Sequence, residues 1–396
     1  MKRSMRVLPL LALLALLALA ACDDPFGPGR TLRDYVALDT GVEHACAVTA
    51  EGEAFCWGAG ERGQLGYGWP AEDRDMPTLV DTPELFEQIT TGDGHTCALT
   101  PEGRAWCWGW NVYMQRGTDE AWDVNPTEVQ TELHFTSIDA GWQHTCAIAE
   151  DSTVHCWGAG THGQLGNGTT VRSAGVTPVV GGLQATQVSA GARHTCAVRT
   201  DGVLVCWGDN SNGQLGIGSD AVFVSEPTPV NSSLRFTQVS AGATHTCAVA
   251  QDGFPYCWGS NAFGEAGDGL VYLGTDIGYR SPNRVNIGIG VHYIRAGLHT
   301  TCARATDNIG YCWGRGAELQ LGNGDPRPTG WPQGIYVQPG KQNTSDRFRF
   351  VDIRPSMGTF TCGLVENNVF CWGTGQRGEL GAGSNTMSSM PQRIRG

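Results

Sequence analysis

Cysteine and histidine carry most of the chemical potential of this 396-residue chain, and both recur in a fixed order. The cysteines fall into seven pairs: Cys46 with Cys56, Cys97 with Cys107, Cys146 with Cys156, Cys196 with Cys206, Cys247 with Cys257, Cys302 with Cys312, and Cys362 with Cys371. Cys22 is left over. A histidine stands two residues before the first cysteine in five pairs, at His44, His95, His144, His194 and His245. Thiols and imidazoles together could bind zinc, but zinc sites use short Cys-x2–4-Cys spacings with further ligands close by, and neither is present here. Cys196 and Cys206 are instead symmetric about Asp201, with Gly202 beside it. A three-residue hairpin loop with its glycine left-handed sets such cysteines opposite each other on adjacent strands. Their α-carbons then lie at roughly 4.5–5.5 Å, within disulfide reach. The last pair is one residue closer and has Glu366-Asn367 at the turn, which suits a two-residue hairpin in the same register. Seven disulfides, each within its own unit, are expected. The histidines could converge on an axis as metal ligands, but on a strand each shares a face with the buried cysteine and can satisfy the backbone of a neighbouring unit instead. No serine or carboxylate recurs beside them as nucleophile or base, so we expect no catalytic residue, no metal and no cofactor.

The elements that place these residues are β-strands. The first cysteines of successive pairs lie 51, 49, 50, 51, 55 and 60 residues apart, a period that marks an array of small units unable to bury their apolar faces alone. In each unit a stretch such as FTQVSAG alternates apolar and polar, HTCAV follows, a turn comes at Thr-Asp-Gly or its equivalent, and VLVCWG returns. A tryptophan follows every second cysteine, at Trp57, Trp108, Trp157, Trp207, Trp258, Trp313 and Trp372. Seven equivalent indoles argue for packing between units.

The string GARHTCAVRTDGVLVCWGDNSNGQLGIG, residues 191–218, closely resembles the repeat of the regulator of chromosome condensation family. The resemblance covers about Tyr35 to Arg395 in seven copies. It implies an all-β, seven-bladed β-propeller over residues 35–396. Repeats 6 and 7 depart from the pattern, with Thr300 and Phe360 in the histidine position. Met114 and Leu319 replace a tail glycine in repeats 2 and 6. Those departures bear on loop geometry and leave the ring intact.

Residues 1–21 read as a signal peptide, with Lys2, Arg3 and Arg6 ahead of an almost unbroken Leu/Ala run. Leu19-Ala20-Ala21-Cys22 resembles a lipobox, which implies a bacterial lipoprotein with lipid on Cys22, a short tether over 22–34 and a place on an envelope membrane. The chain has 26 basic and 39 acidic residues, a net charge of −13, and removing the three basic residues of the signal leaves 23 against 39, about −16. Such a surface repels phosphate backbones, so nucleic acid is not an expected partner.

In a repeat protein the shared residues build the scaffold, and function lies where the copies differ. After the Gly-Gln-Leu-Gly tail, aromatics recur in the segment before the next repeat, and repeats 5 and 6 have the longest insertions. Trp122, Tyr272, Tyr279 and Trp331 are the expected binding anchors, in loops sharing one face of the ring. The expected function is a non-catalytic envelope scaffold for a protein or a surface glycan, and the resemblance adds secreted relatives that bind through aromatic-rich loops. The alternative is a metal-dependent lyase or hydrolase with a histidine-lined channel. Guanine-nucleotide exchange, also implied by the family, is disfavoured by export, acidity and disulfides.

Overall fold

The computed structural model describes residues 33–120, 122–272, 278–335 and 349–395, with the backbone alone at Trp122. The expected signal peptide and Cys22 lie outside the described residues. The rest forms 28 strands in seven four-stranded antiparallel sheets, with no helix among the described residues. Each sheet is one blade built from consecutive strands; in blade 4 these are Ala185–Ala190, His194–Arg199, Leu204–Asp209 and Phe223–Pro229. The first strand of every blade lines the axis, and the fourth forms the outer rim. Because strands alternate in direction, the upper face collects the turn before each second strand and the long loop carrying Gln-Leu-Gly. The lower face collects the cysteine hairpin turns and the links between blades.

All seven expected disulfides form, each within its own blade and with α-carbons 4.1 Å apart. Cys46 is bonded to Cys56 in blade 1, Cys97 to Cys107 in blade 2, and Cys146 to Cys156 in blade 3. Cys196 is bonded to Cys206 in blade 4, Cys247 to Cys257 in blade 5, Cys302 to Cys312 in blade 6, and Cys362 to Cys371 in blade 7. Each pair is directly opposed in its ladder as expected, and the spacing of 4.1 Å lies just below the expected range. Gly202 takes the left-handed φ of 79° that the three-residue loop needs. In blade 7 Val365 pairs with Asn368 across the two-residue turn, where Glu366 is left-handed at 53°. Met114 and Leu319 keep the left-handed backbone of the glycine they replace, at φ 67° and 65°, so the loop geometry survives both substitutions.

Every outer strand contains a proline: Pro77, Pro126, Pro178, Pro227, Pro282, Pro332 and Pro391. Proline cannot donate to a ladder and belongs on an edge, where it also discourages pairing with another chain.

Adjacent blades are joined by one recurrent device. Each of the seven tryptophans is fully buried and donates its indole N–H to a main-chain carbonyl of the preceding blade, as Trp207 does to Gln164 at 2.9 Å. Burial of so large a side chain contributes about 1.5–3 kcal/mol, and the satisfied N–H removes the penalty of burying a donor. The glycine closing Gln-Leu-Gly makes room for it: a Cβ on Gly216 would lie 2.5 Å from the Trp258 indole nitrogen. Blade 1 comes wholly from the N-terminal side and blade 7 wholly from the C-terminal side, so no strand is exchanged at the closure. There Trp57 donates to the Glu379 carbonyl at 2.9 Å, and the Tyr35 amide to the Asn367 carbonyl at 3.1 Å. Arg377 adds ion pairs to Glu43, Glu61 and Asp73 of blade 1 at 2.8–3.1 Å.

Around the axis, side chains of one inner strand cap the amides of the next. Asp39 accepts from the Thr91 amide, Thr90 from Ala140, Asp139 from Ala190, Ser189 from Ala241 and Ser240 from Ala296, at 2.7–3.0 Å. These bonds replace the ladder that the inner strands, as sheet edges, lack.

Candidate functional site

The five histidines open the second strands of blades 1–5 and are fully buried. Each Nε2 lies 2.8–3.0 Å from a threonine hydroxyl of the following blade: His44 with Thr96, His95 with Thr145, His144 with Thr195, His194 with Thr246 and His245 with Thr301. Each threonine already donates its proton to the carbonyl that also receives the indole N–H, as Thr195 does to Gln164 at 2.8 Å. The imidazole must therefore donate through Nε2, which leaves Nδ1 bare, and no Nδ1 of the five has a hydrogen-bond partner. Burial holds these rings neutral, pushing the pKa down to about 3, or about 4 at His245. The missing histidine of repeat 7 has a cause in this network. Blade 1 carries Ala45 where the others carry threonine, and the Phe360 of blade 7 meets it in an apolar cluster.

The alternative of a histidine-lined channel does not match this arrangement, since none of the five lines the axial cavity. Their partners lie between blades, not on the axis. The cavity, about 220 Å³, is lined by the capping side chains of the inner strands together with Arg295 and Arg354.

The expected anchors also move. Trp122 and Tyr279 are the first residues of the outer strands Trp122–Glu128 and Tyr279–Arg284, and Trp331 lies within Thr329–Gly334, so three of the four stand at the upper rim and not in loops. Tyr272 lies in the described part of the blade 5 loop, beside Tyr279. Tyr279 is a capping residue: its ring packs against the cores on both sides of blade 5, its hydroxyl donates to Asp268, and burial raises its pKa. Trp331 is 51% exposed and lies over Gly269 of blade 5, where a Cβ would sit 2.6 Å from the indole.

The upper face displays more than those four. At least one large apolar side chain is exposed there on every blade: Trp69 at 70%, Val112, Val171, Val222 with Phe223, Leu270, Trp331 and Met387. Met76 and Leu79 are exposed on the outer strand of blade 1. On the lower side Val36, Leu85 and Val351, with Leu79 at the lower end of its strand, are comparably exposed among the described residues. The aliphatic members were invisible to sequence reasoning, because an isolated valine or leucine in a loop carries no periodic signal. Charge is interleaved with this surface. The Arg62 guanidinium lies 4.5 Å from the Trp110 ring centre and pairs with Asp93 at 3.2 Å. Over blades 5 and 6, Arg315 and His299 lie 5.3 and 5.0 Å from the Phe263 ring, and His299 pairs with buried Glu265 at 3.1 Å.

A ring of stapled four-stranded sheets, locked by an indole-to-carbonyl bond at every joint, defines a seven-bladed β-propeller scaffold. The chain belongs to the RCC1-like domain family, whose model matches residues 24–237, and the regulator of chromosome condensation (RCC1) repeat matches residues 236–265. The ultraviolet-B receptor UVR8 of Arabidopsis thaliana is 31% identical, over 94% of this chain and 84% of its own length. The human E3 ubiquitin-protein ligase HERC2 is also 31% identical over 91% of this chain, which spans 5% of that protein. Among solved structures, Prp20p from Saccharomyces cerevisiae superposes with a TM-score of 0.76 at 20% identity, covering 88% of this chain and 87% of its own. Yeast RCC1 (Prp20) bound to Kap60 gives 0.73 at 23%, covering 84% and 80%.

Proposed function

We propose that this propeller is a non-catalytic scaffold of the bacterial cell envelope, tethered by lipid on Cys22, that holds a protein partner on its upper face. The observation that carries the reading is the exposed apolar side chain on every blade of that face, interleaved with arginine and aromatic groups. Exposed apolar patches rimmed by polar groups mark interaction sites, and aromatic residues with arginine are the usual anchors of protein interfaces. Proteins of similar fold support it: yeast RCC1 is found bound to Kap60, and Prp20p has binding properties toward Gsp1p and histones. The acidic net charge favours a basic partner and speeds its encounter. Two measurements test the two halves. Cys22→Ser is expected to move the protein from the membrane to the soluble fraction, and unchanged membrane partition would refute the lipid anchor. The protein carrying Trp69→Ala, Phe223→Ala and Trp331→Ala is expected to lose, at least tenfold, a partner that the wild type retains on purification from its envelope. Retention of that partner by the triple variant would refute the upper face as the binding surface.

A further inference from the structure

The axial cavity is lined by four charged side chains of the inner strands, Asp39, Asp139, Arg295 and Arg354, and Asp352 lies in the cavity next to it. Arg354 donates from Nε to Asp352 at 2.6 Å and from Nη1 to Asp39 at 3.3 Å, while the other oxygen of Asp39 accepts from the amide and hydroxyl of Thr91. Among the described residues Asp139 has no cation at hydrogen-bond distance, and Arg295 has only a long ion pair with Asp352 at 3.8 Å. Asp139 accepts the Ala190 amide on Oδ2 at 2.7 Å, the Ser189 hydroxyl lies beside its carboxylate, and Oδ1 makes a long contact with Thr90 at 3.5 Å. The guanidinium of Arg295 makes one long hydrogen bond, from Nη1 to the Ile294 carbonyl at 3.4 Å. Its buried Nε makes none, lying 3.8 Å from Asp352.

The placement of Arg295 has a structural origin. In blades 1 to 5 its position carries an acceptor that caps an amide of the next blade. The residue it would cap is Pro355, which has no N–H, so an acceptor has no task there and a cation stands in its place. A second orphaned group lies beside it. The buried Tyr293 hydroxyl has no partner, and its ring lies 5.1 Å from the Arg295 guanidinium. Tyr293 lines a second cavity, outside the axial one, and the two share Gln88, Ile89, Arg295 and Arg354.

Asp139 belongs to blade 3 and Arg295 to blade 6, three steps apart in a ring of seven and so on nearly opposite walls. We propose that the channel binds a small zwitterion, an amino acid with separated charges, its carboxylate on Arg295 and Tyr293 and its ammonium on Asp139. Arginine presents the planar fork that a carboxylate needs, and the tyrosine hydroxyl adds a donor on the same side. Burial, with Asp39 adding to it, raises the Asp139 pKa to about 6, and a bound ammonium relieves that strain. At about 220 Å³ the cavity is smaller than the roughly 300–1,000 Å³ of drug-sized pockets, which restricts the ligand to a few heavy atoms.

The test is calorimetric titration of the purified protein with 4-aminobutanoate and 6-aminohexanoate, against butanoate and butylammonium as single-charge controls. At least one amino acid is expected to bind tenfold or more tightly than either control. Arg295→Gln should weaken it tenfold and leave butylammonium unchanged; Asp139→Asn should weaken it tenfold and leave butanoate unchanged. Arg295→Lys and Asp139→Glu, which keep each charge, serve if the neutral variants fail to fold, and should weaken binding less than tenfold. The proposal is overturned if neither amino acid binds, if the controls bind equally, or if neither neutral variant alters binding.

Discussion

Acidification from pH 7 to pH 5 is expected to remove most of this protein's stability. Five imidazoles are held neutral between blades with pKa values near 3 to 4, whereas in the unfolded chain each titrates near 6.5. Below pH 6.5 the unfolded state therefore binds protons that the native state refuses. Stability falls as pH falls through that window, down to about pH 3. At pH 5 each histidine accounts for about 2 kcal/mol, so five together approach the whole stability of about 5–15 kcal/mol typical of folded domains. Asp139 acts with opposite sign. Its raised pKa of about 6 lets the native state gain a proton first, which offsets about 1 kcal/mol at pH 5. Denaturant melts at pH 7 and pH 5 measure the difference. The double variant His194→Phe with Thr246→Ala copies the joint that Phe360 makes with Ala45, and should lower the loss by about one histidine's share. Equal stability at the two pH values would show that the histidines are not held neutral.

Complete reduction of the seven disulfides should unfold the propeller. Each closes a loop of about ten residues, for which the chain-entropy argument gives at most about 3 kcal/mol, and seven such bonds exceed the net stability of an ordinary domain. A single deletion, Cys196→Ala with Cys206→Ala, should cost about 2–3 kcal/mol. The ring should stay closed, because Trp207 and Thr195 still bond Gln164 of the preceding blade. Near-ultraviolet circular dichroism of the tryptophans, with and without reductant, distinguishes the two cases. A native spectrum in the fully reduced protein would show that the interlocked indoles suffice without the staples.

These consequences were unequally legible in the sequence. The cysteine pairing could be read because its evidence is local: Asp201-Gly202 sits midway between Cys196 and Cys206, and the shortened repeat compensates at Glu366-Asn367. The buried tryptophans were legible because seven equivalent indoles leave few alternatives. The histidine network was legible in part: a bond to the neighbouring blade's backbone was expected, and the partner is a threonine hydroxyl instead. His194 and Thr246 are 52 residues apart, and only the docking of one blade on the next reveals that threonine in one repeat answers histidine in the previous one. The same relation explains why histidine is absent from the last repeat, whose neighbour around the ring is the first. Trp122, Tyr279 and Trp331 were read as loop residues because outer strands such as YRSPNR hold proline and lack alternation, as befits an edge exposed on one side. The charges of the channel come from distant segments and become neighbours only when the ring closes.

Whether the upper face is the binding surface can be read from site-specific photo-crosslinking in intact cells. A benzophenone side chain would be placed singly at Trp69, Phe223 and Trp331 on the upper side, and at Leu85 and Val351 on the lower side, all of them exposed. One common adduct is expected from the upper positions and none from the lower ones. An adduct formed from Leu85 or Val351 and absent from all three upper positions would contradict the upper face as the binding surface.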